Sequence, residues 1–279
     1  MTERLSAEQI DQFVELGFCT LRGAFTPQCA VAACDLVWAR MAEKAGILRD
    51  DPRTWPDLYT GEAHIDAPAV HACFTDALAE AIETLVGPGR WTGVREWGFW
   101  PVNFSFGADA NEPFPEEGWH LDGTWFKWPP SVGWQSLDTV QQGLFAIGLF
   151  TDLAEGGGGT ALALGSHKLT ARTLARYPHG HAHCNLFDEL LRAPIGNFHE
   201  IIGAAGDVVL AHPLLLHARG YKCSGPPRII SITDAKLCAP ISLDRPDGDY
   251  SILEESIRRA LSSPPDAPRQ AKQCRGPAA

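Results

Sequence analysis

Apolar residues recur every three or four positions through roughly the first ninety residues, then give way to short apolar runs broken by Gly, Pro and Asp. Ile10, Phe13 and Val14 form one stripe, and Ser6 and Gln9 ahead of it have the S-x-x-Q spacing of a capping box. A helix therefore opens the chain, and Gly17 ends it before a strand over Phe18 to Leu21. Pro27 suits a first helical turn and begins a second helix reaching Ala45. Ala77, Leu78, Ala81, Ile82 and Leu85 predict a third helix from Val70 to Val86, stopped by Gly87-Pro88-Gly89. Strands are predicted over Trp97 to Phe106, Gly143 to Thr151, Ala161 to Leu164, His199 to Ile202, Asp207 to Ala211 and Arg228 to Thr233. Helices followed by many short strands predict a mainly β fold, a barrel or sandwich buttressed on one face by helices. A single domain is the simplest organisation: a helical part over about 1–90, a strand-rich core over about 95–236, and a helix with a flexible tail over about 250–279.

With 45% apolar residues in 279, a sizeable core is within reach. No window holds about eighteen uninterrupted apolar residues, and MTERLSAEQI is too polar for a signal peptide. These features predict a soluble, cytoplasmic protein. The net charge of −11 argues against nucleic acid or an anionic membrane as partner and leaves a small molecule. The eight cysteines are scattered, without a CxxC pair, and read as reduced thiols.

In Gly118-Trp119-His120-Leu121-Asp122-Gly123, a histidine and a carboxylate stand two residues apart. On a strand, such residues point to the same face and can converge on one ion. A second segment, GDVVLAHPLLLH, carries His212 and His217 at the end of an apolar strand. Either could complete a set of two imidazoles and one carboxylate, the facial triad suited to ferrous iron. The triad leaves three positions open, two for a chelating 2-oxo acid and one for dioxygen. Arg228, eleven residues after His217, could pair bidentately with the distal carboxylate of such an acid.

The chain resembles the phytanoyl-CoA dioxygenase-like branch of the Fe(II)/2-oxoglutarate oxygenases. The segments that carry the resemblance, in order, are LSAEQIDQFVELGFCTLRGAF, GWHLDGTW, TDLAEGGGGTALALGSHK and GDVVLAHPLLLHARGYKCSGPPR. It implies a double-stranded β-helix (jelly-roll) core, with His120, Asp122 and His217 as iron ligands and Arg228 as anchor of the 2-oxoglutarate co-substrate. His212 then becomes a strand or outer-sphere residue. Family members that halogenate have a small residue where this chain has Asp122, so the resemblance favours hydroxylation, or another oxidation such as desaturation or ring formation, with release of succinate and carbon dioxide. Many members have a small hydroxyl residue two positions after the last histidine; this chain has Arg219, which could instead reach toward substrate or solvent.

Thr160, Asn103 and Ser105 are further candidates for contact with the co-substrate. Six of the nine tryptophans fall between residues 97 and 134. Trp100, Trp119, Trp125 and Phe126 are therefore candidates for an apolar pocket, and a metabolite of secondary metabolism is the expected substrate. Gly156 to Gly159 lacks the G-K-[ST] of a phosphate loop and reads as a strand connection. His179, His181, His183 and Cys184 read as a loop or lid over the site, with a second metal centre as the less favoured alternative. Two rivals to the oxygenase reading are a jelly-roll binding protein without turnover and a zinc hydrolase. The second has no H-E-x-x-H motif behind it and leaves Arg228 unexplained.

Overall fold

A computed structural model describes residues 5–112, 114–122, 125–127, 132–192 and 197–263. The helices are α1 (Ala7–Leu16), α2 (Pro27–Ala45), α3 (Pro68–His71), α4 (Asp76–Val86), α5 (Ser166–Leu174), α6 (His183–Leu190) and α7 (Ile252–Ser262). The strands are β1 (Phe18–Leu21), β2 (Leu58–Tyr59), β3 (Val102–Asn103), β4 (Trp125–Lys127), β5 (Val132–Gln135), β6 (Phe145–Leu149), β7 (Ala161–Ala163), β8 (His181–Ala182), β9 (Phe198–Glu200), β10 (Val208–Ala211), β11 (His217–Ala218) and β12 (Arg228–Asp234).

The strands pair antiparallel. The large sheet runs β1-β10-β6-β12-β3-β2, and a smaller one runs β11-β7-β9. Side-chain parity separates the faces of the large sheet. Phe145, Ile147 and Leu149 of β6, Val209 and Ala211 of β10, and Ile230 of β12 share one cluster with Leu162 of β7. That cluster fills the space between the sheets. Ala146, Val208, Leu210 and Ile229 point the other way, into the cluster formed with α1, α2, α4 and α7. Gly148 keeps that outer face open, since a Cβ there would lie 2.7 Å from the Trp97 ring. This is the predicted β core with helices on one face.

The capping box of α1 is formed in both directions, Ser6 Oγ accepting from Gln9 N (3.3 Å) and Gln9 Oε1 from Ser6 N (2.8 Å). β1 and α2 have the predicted bounds. The predicted third helix is two: Thr75 breaks it, its side chain accepting from Leu78 N at 3.3 Å as the N-cap of α4. The long strand expected over Trp97 to Phe106 reduces to β3 plus single bridges from Phe99 to Ala63 and Ile232. Its tryptophans went to the core instead: Trp97 and Trp100 both pack on Phe150, with centroids 5.6 and 4.5 Å away. The histidine segment is not a plain loop. His181 lies on β8, which extends the β4-β5 pair, and α6 starts at His183. The tail after Ser263 lies outside the described residues. No helix among the described residues is long and apolar enough to cross a membrane.

Behind β10 lies a buried histidine pair. His167 and His212 have ring centroids 4.7 Å apart, and Phe13 packs 5.6 Å from His212. His167 Nε2 donates to Val14 O (3.0 Å) and His212 Nδ1 accepts from Leu214 N (3.1 Å). Burial pushes His167 down from 6.5 to about 4 and, with His167 adjacent, holds His212 well below its usual value. Both rings are neutral in the fold, whereas the unfolded chain takes up protons near pH 6.5. Acidification from about pH 6.5 to about pH 4 therefore favours the unfolded state, and His167 alone accounts for a loss of about 3 kcal/mol across that window. Urea titrations at stepped pH should show this decline, and His167→Gln should flatten it. An unchanged slope in that variant would contradict the assignment.

Candidate metal centre

His217 begins β11, and His120 pairs with it across an isolated antiparallel bridge: His120 N donates to His217 O (2.9 Å) and His217 N to His120 O (3.1 Å). The H-x-D pair is not on a continuous strand as expected. His120 occupies a single bridge position and Asp122 a bend. Convergence survives, because the backbone bridge sets the two rings face to side, with centroids 4.4 Å apart. Asp122 Oδ2 lies 3.3 Å from His217 Nε2, and Oδ1 lies 3.9 Å from His120 Nε2. One ligand atom from each of the three residues falls within 4.8 Å of the others, the only such metal-ligating group found among the described residues.

The imidazoles are oriented from behind. His217 Nδ1 donates to Leu215 O (3.0 Å) and His120 Nδ1 to Gly118 O (2.7 Å). A carbonyl only accepts, so both rings carry their proton on Nδ1 and direct the Nε2 lone pair inward, the tautomer a metal needs. Burial opposes charge on His217, but the Asp122 carboxylate outweighs it and raises the pKa. Burial, then the neighbouring His217, lower that of His120. His212 is fully buried and faces His167 and Phe13, so His217 is the histidine that joins the H-x-D pair.

Arg228 begins β12, in phase with Ile230 and Ile232, and is 1% exposed. Its Nη1 donates to Gly158 O (2.7 Å), while Nε and Nη2 have no hydrogen-bond partner. Burial brings its pKa down to about 10, which still leaves it charged near neutral pH. Thr160, 6% exposed, shares with Arg228 and the triad a cavity of about 480 Å³.

The other expectations divide. Arg219 lines the same cavity. Asn103 does not, because both ends of its amide are used: Oδ1 accepts from Phe106 N (3.1 Å) and Nδ2 donates to Gly220 O (3.4 Å). Ser105 Oγ donates to Asp57 Oδ1 (2.6 Å) and is likewise absent from the cavity wall. Trp100 is wholly buried against Phe150, and Trp119 donates to Pro115 O (3.0 Å) and stacks on Phe198. Neither reaches the cavity, because both serve the cores around it. Trp125 and Phe126 lie on β4, and their side chains fall outside the described residues.

Sequence reasoning missed the outer wall, which includes His64, Glu96, Phe99, Asp234 and Lys236. Strand parity from Arg228 would have found Asp234, six positions along β12 on the same face. It also missed Glu200. The Glu200 carboxylate accepts from Gly156 N (2.8 Å), Gly158 N (3.1 Å) and Gly159 N (3.0 Å), and the Gly158 carbonyl in turn fixes Arg228. The glycine run is thus a connection wrapped on an internal anion. Gly158 needs its glycine, with φ +82° and Lys222 Cβ only 2.7 Å from where its own Cβ would be. Glu200→Ala should lower stability by about 1–3 kcal/mol through the orphaned N–H groups. It should also displace Gly158 and weaken whatever anion Arg228 holds. Paired thermal melts and ligand titrations check both effects, and an unchanged ligand affinity would deny the link.

The fold is the jelly roll found in 2-oxoglutarate-dependent oxygenases, as comparison with solved structures shows. HygX from Streptomyces hygroscopicus with iron bound superimposes with a TM-score of 0.51 at 16% identity, over 82% of this chain and 86% of that one. HygX with nickel, 2-oxoglutarate and hygromycin B bound gives 0.50 at 17% identity over the same shares. The non-haem α-ketoglutarate-dependent carbocyclase SnoK from nogalamycin biosynthesis gives 0.51 at 16% identity, over 84% and 86%. At these identities the likeness is one of fold. No family model and no curated protein matches the chain, so the resemblance to the phytanoyl-CoA branch rests on the motifs.

Proposed function

We propose that the protein is an Fe(II)- and 2-oxoglutarate-dependent oxygenase acting on a small molecule, most readily by hydroxylation. One observation carries the reading. A convergent His-Asp-His group and a buried guanidinium with two unspent donors share one cavity. Buried polar atoms are ordinarily satisfied, and an orphaned charge is costly. His217 Nε2 and Arg228 Nε and Nη2 are among the buried atoms without a hydrogen-bond partner, which fits a cation at the first and a carboxylate at the second.

In this reading His120, Asp122 and His217 hold Fe(II), Arg228 takes the distal carboxylate of 2-oxoglutarate, and Thr160 lies beside it. Iron, 2-oxoglutarate and dioxygen together supply the oxidant, with succinate and carbon dioxide released. The chain contributes orientation: the Leu215 and Gly118 carbonyls fix the imidazole tautomers, Glu200 fixes the loop behind Arg228, and the apolar layer between the sheets excludes water. HygX and SnoK, which share the fold, make a metabolite of secondary metabolism a consistent substrate.

Anaerobic addition of Fe(II) and then 2-oxoglutarate should produce a weak visible charge-transfer band. Oxygen with a substrate should then give succinate. A zinc hydrolase shows no such band, a binding protein shows no succinate, and the absence of both signals sinks the proposal.

A further inference from the structure

We propose that Arg219 anchors an anionic group of the substrate, so that the molecule oxidised is a small organic carboxylate or phosphate. The inference rests on the iron and 2-oxoglutarate reading of the site and adds the class of its substrate. Arg219 lies two residues beyond His217, just past the end of β11, and the wall of the cavity includes both. Its guanidinium rests 5.8 Å from the centre of the Phe106 ring, which is itself braced by Tyr221 at 5.6 Å. A contact of this kind spends none of the five N–H donors of the guanidinium. Among the described residues Arg219 makes no side-chain hydrogen bond and no salt bridge. It is an exposed residue on the cavity wall whose donors are not spent on protein.

Fe(II) with Asp122 carries one net positive charge and Arg228 a second, and the 2-oxoglutarate dianion cancels both. Arg219 is then left over beside them. Of the other carboxylates on the wall, Asp234 accepts at Oδ1 from Gln142 Nε2 (2.6 Å) and Glu96 faces His64 Nδ1 at 3.8 Å, and neither makes a salt bridge to Arg219. Lys236, the further cation on this wall, also makes no salt bridge among the described residues. Arg219 and Lys236 are the cations of this wall whose donors are not spent on protein, and an anion is the ligand group that can accept from them. Phe99 is the one phenyl or indole ring on this wall among the described residues, and the side chains of Trp125 and Phe126 lie outside them.

The test uses anaerobic protein holding Fe(II) and saturating 2-oxoglutarate. Benzoate, phenyl phosphate and neutral benzamide are titrated by calorimetry into wild type, Arg219→Met and Arg219→Lys. One of the two anions should bind wild type and benzamide should not. Arg219→Met should weaken that binding by about tenfold or more, and Arg219→Lys should restore part of it. The 2-oxoglutarate affinity, read from the visible band, should move by less than about twofold in either variant, since Arg228 sets it. The proposal is overturned if neither anion binds wild type, if benzamide binds as well as the anions, or if Arg219→Met leaves anion binding intact. It is equally overturned if the loss falls on 2-oxoglutarate, which would make Arg219 a co-substrate residue. A wild type without the visible band overturns the class reading itself, whereas a normal band without anion binding overturns only the role of Arg219.

Discussion

Replacing Asp122 or His217 by alanine should abolish the visible band and reduce succinate formation to background. The loss of metal affinity should exceed the roughly 10- to 100-fold that removal of an outer-shell partner costs. Asp122 supplies the only carboxylate of the cluster and approaches both imidazoles, at 3.3 and 3.9 Å. Without it two neutral rings face a divalent ion with no anion to offset the charge. His217 is the more demanding case, being 3% exposed with Phe145 packed 4.5 Å from its ring. Its alanine variant also leaves a void, so Asp122→Asn, which keeps the shape, is the cleaner probe. Metal titration by fluorescence or calorimetry measures the effect, and either alanine variant retaining wild-type turnover would falsify the triad.

Arg228→Met should produce changes of opposite sign in two measurements. In the absence of 2-oxoglutarate the protein should become more stable, by about 1–4 kcal/mol, because a buried charge with unsatisfied donors is exchanged for an apolar side chain of similar length. Affinity for 2-oxoglutarate should fall on the order of a hundredfold or more, as expected when one partner of a buried charged pair is removed. Metal affinity should change little, since Arg228 touches none of the three candidate ligands. A melting temperature that falls, together with unchanged 2-oxoglutarate binding, would show that Arg228 is a structural residue satisfied in some other way. The paired readout matters because either change alone has a trivial explanation, and the combination marks a site whose charge is kept for a ligand.

The parts legible in sequence were those fixed by local physics. Caps and turn residues marked α1, β1 and α2, where Ser6, Gly17 and Pro27 act on their immediate neighbours. Parity along β10 and β12 was readable for the same reason. The predicted third helix failed at Thr75, where a side-chain cap competes successfully with an uninterrupted apolar stripe. α5 was missed because its N-cap is Gly165, in the left-handed region and without a side-chain cap, so no start signal is present. The His-Asp-His cluster was legible for a partly mistaken reason. Strand parity predicts that His120 and Asp122 share a face, yet Asp122 sits in a bend, and a long-range backbone bridge joins His120 to His217, 97 positions away in sequence. Asn103 and Ser105 looked available because sequence does not reveal that Gly220, Phe106 and Asp57 already occupy them. Glu200 was invisible because its three partners are backbone groups of a distant glycine run.

The reciprocal bridge between His120 and His217 makes two candidate ligands neighbours across the rim of the small sheet, each carrying the other's amide. Neither can wander independently. A slip of one residue in that pairing would present Trp119 or Ala218 where an imidazole now stands, so the site is either wholly assembled or wholly lost. Coordination at this place depends on correct strand alignment, and an ion seated there would in turn act as a clasp on the alignment that created its seat.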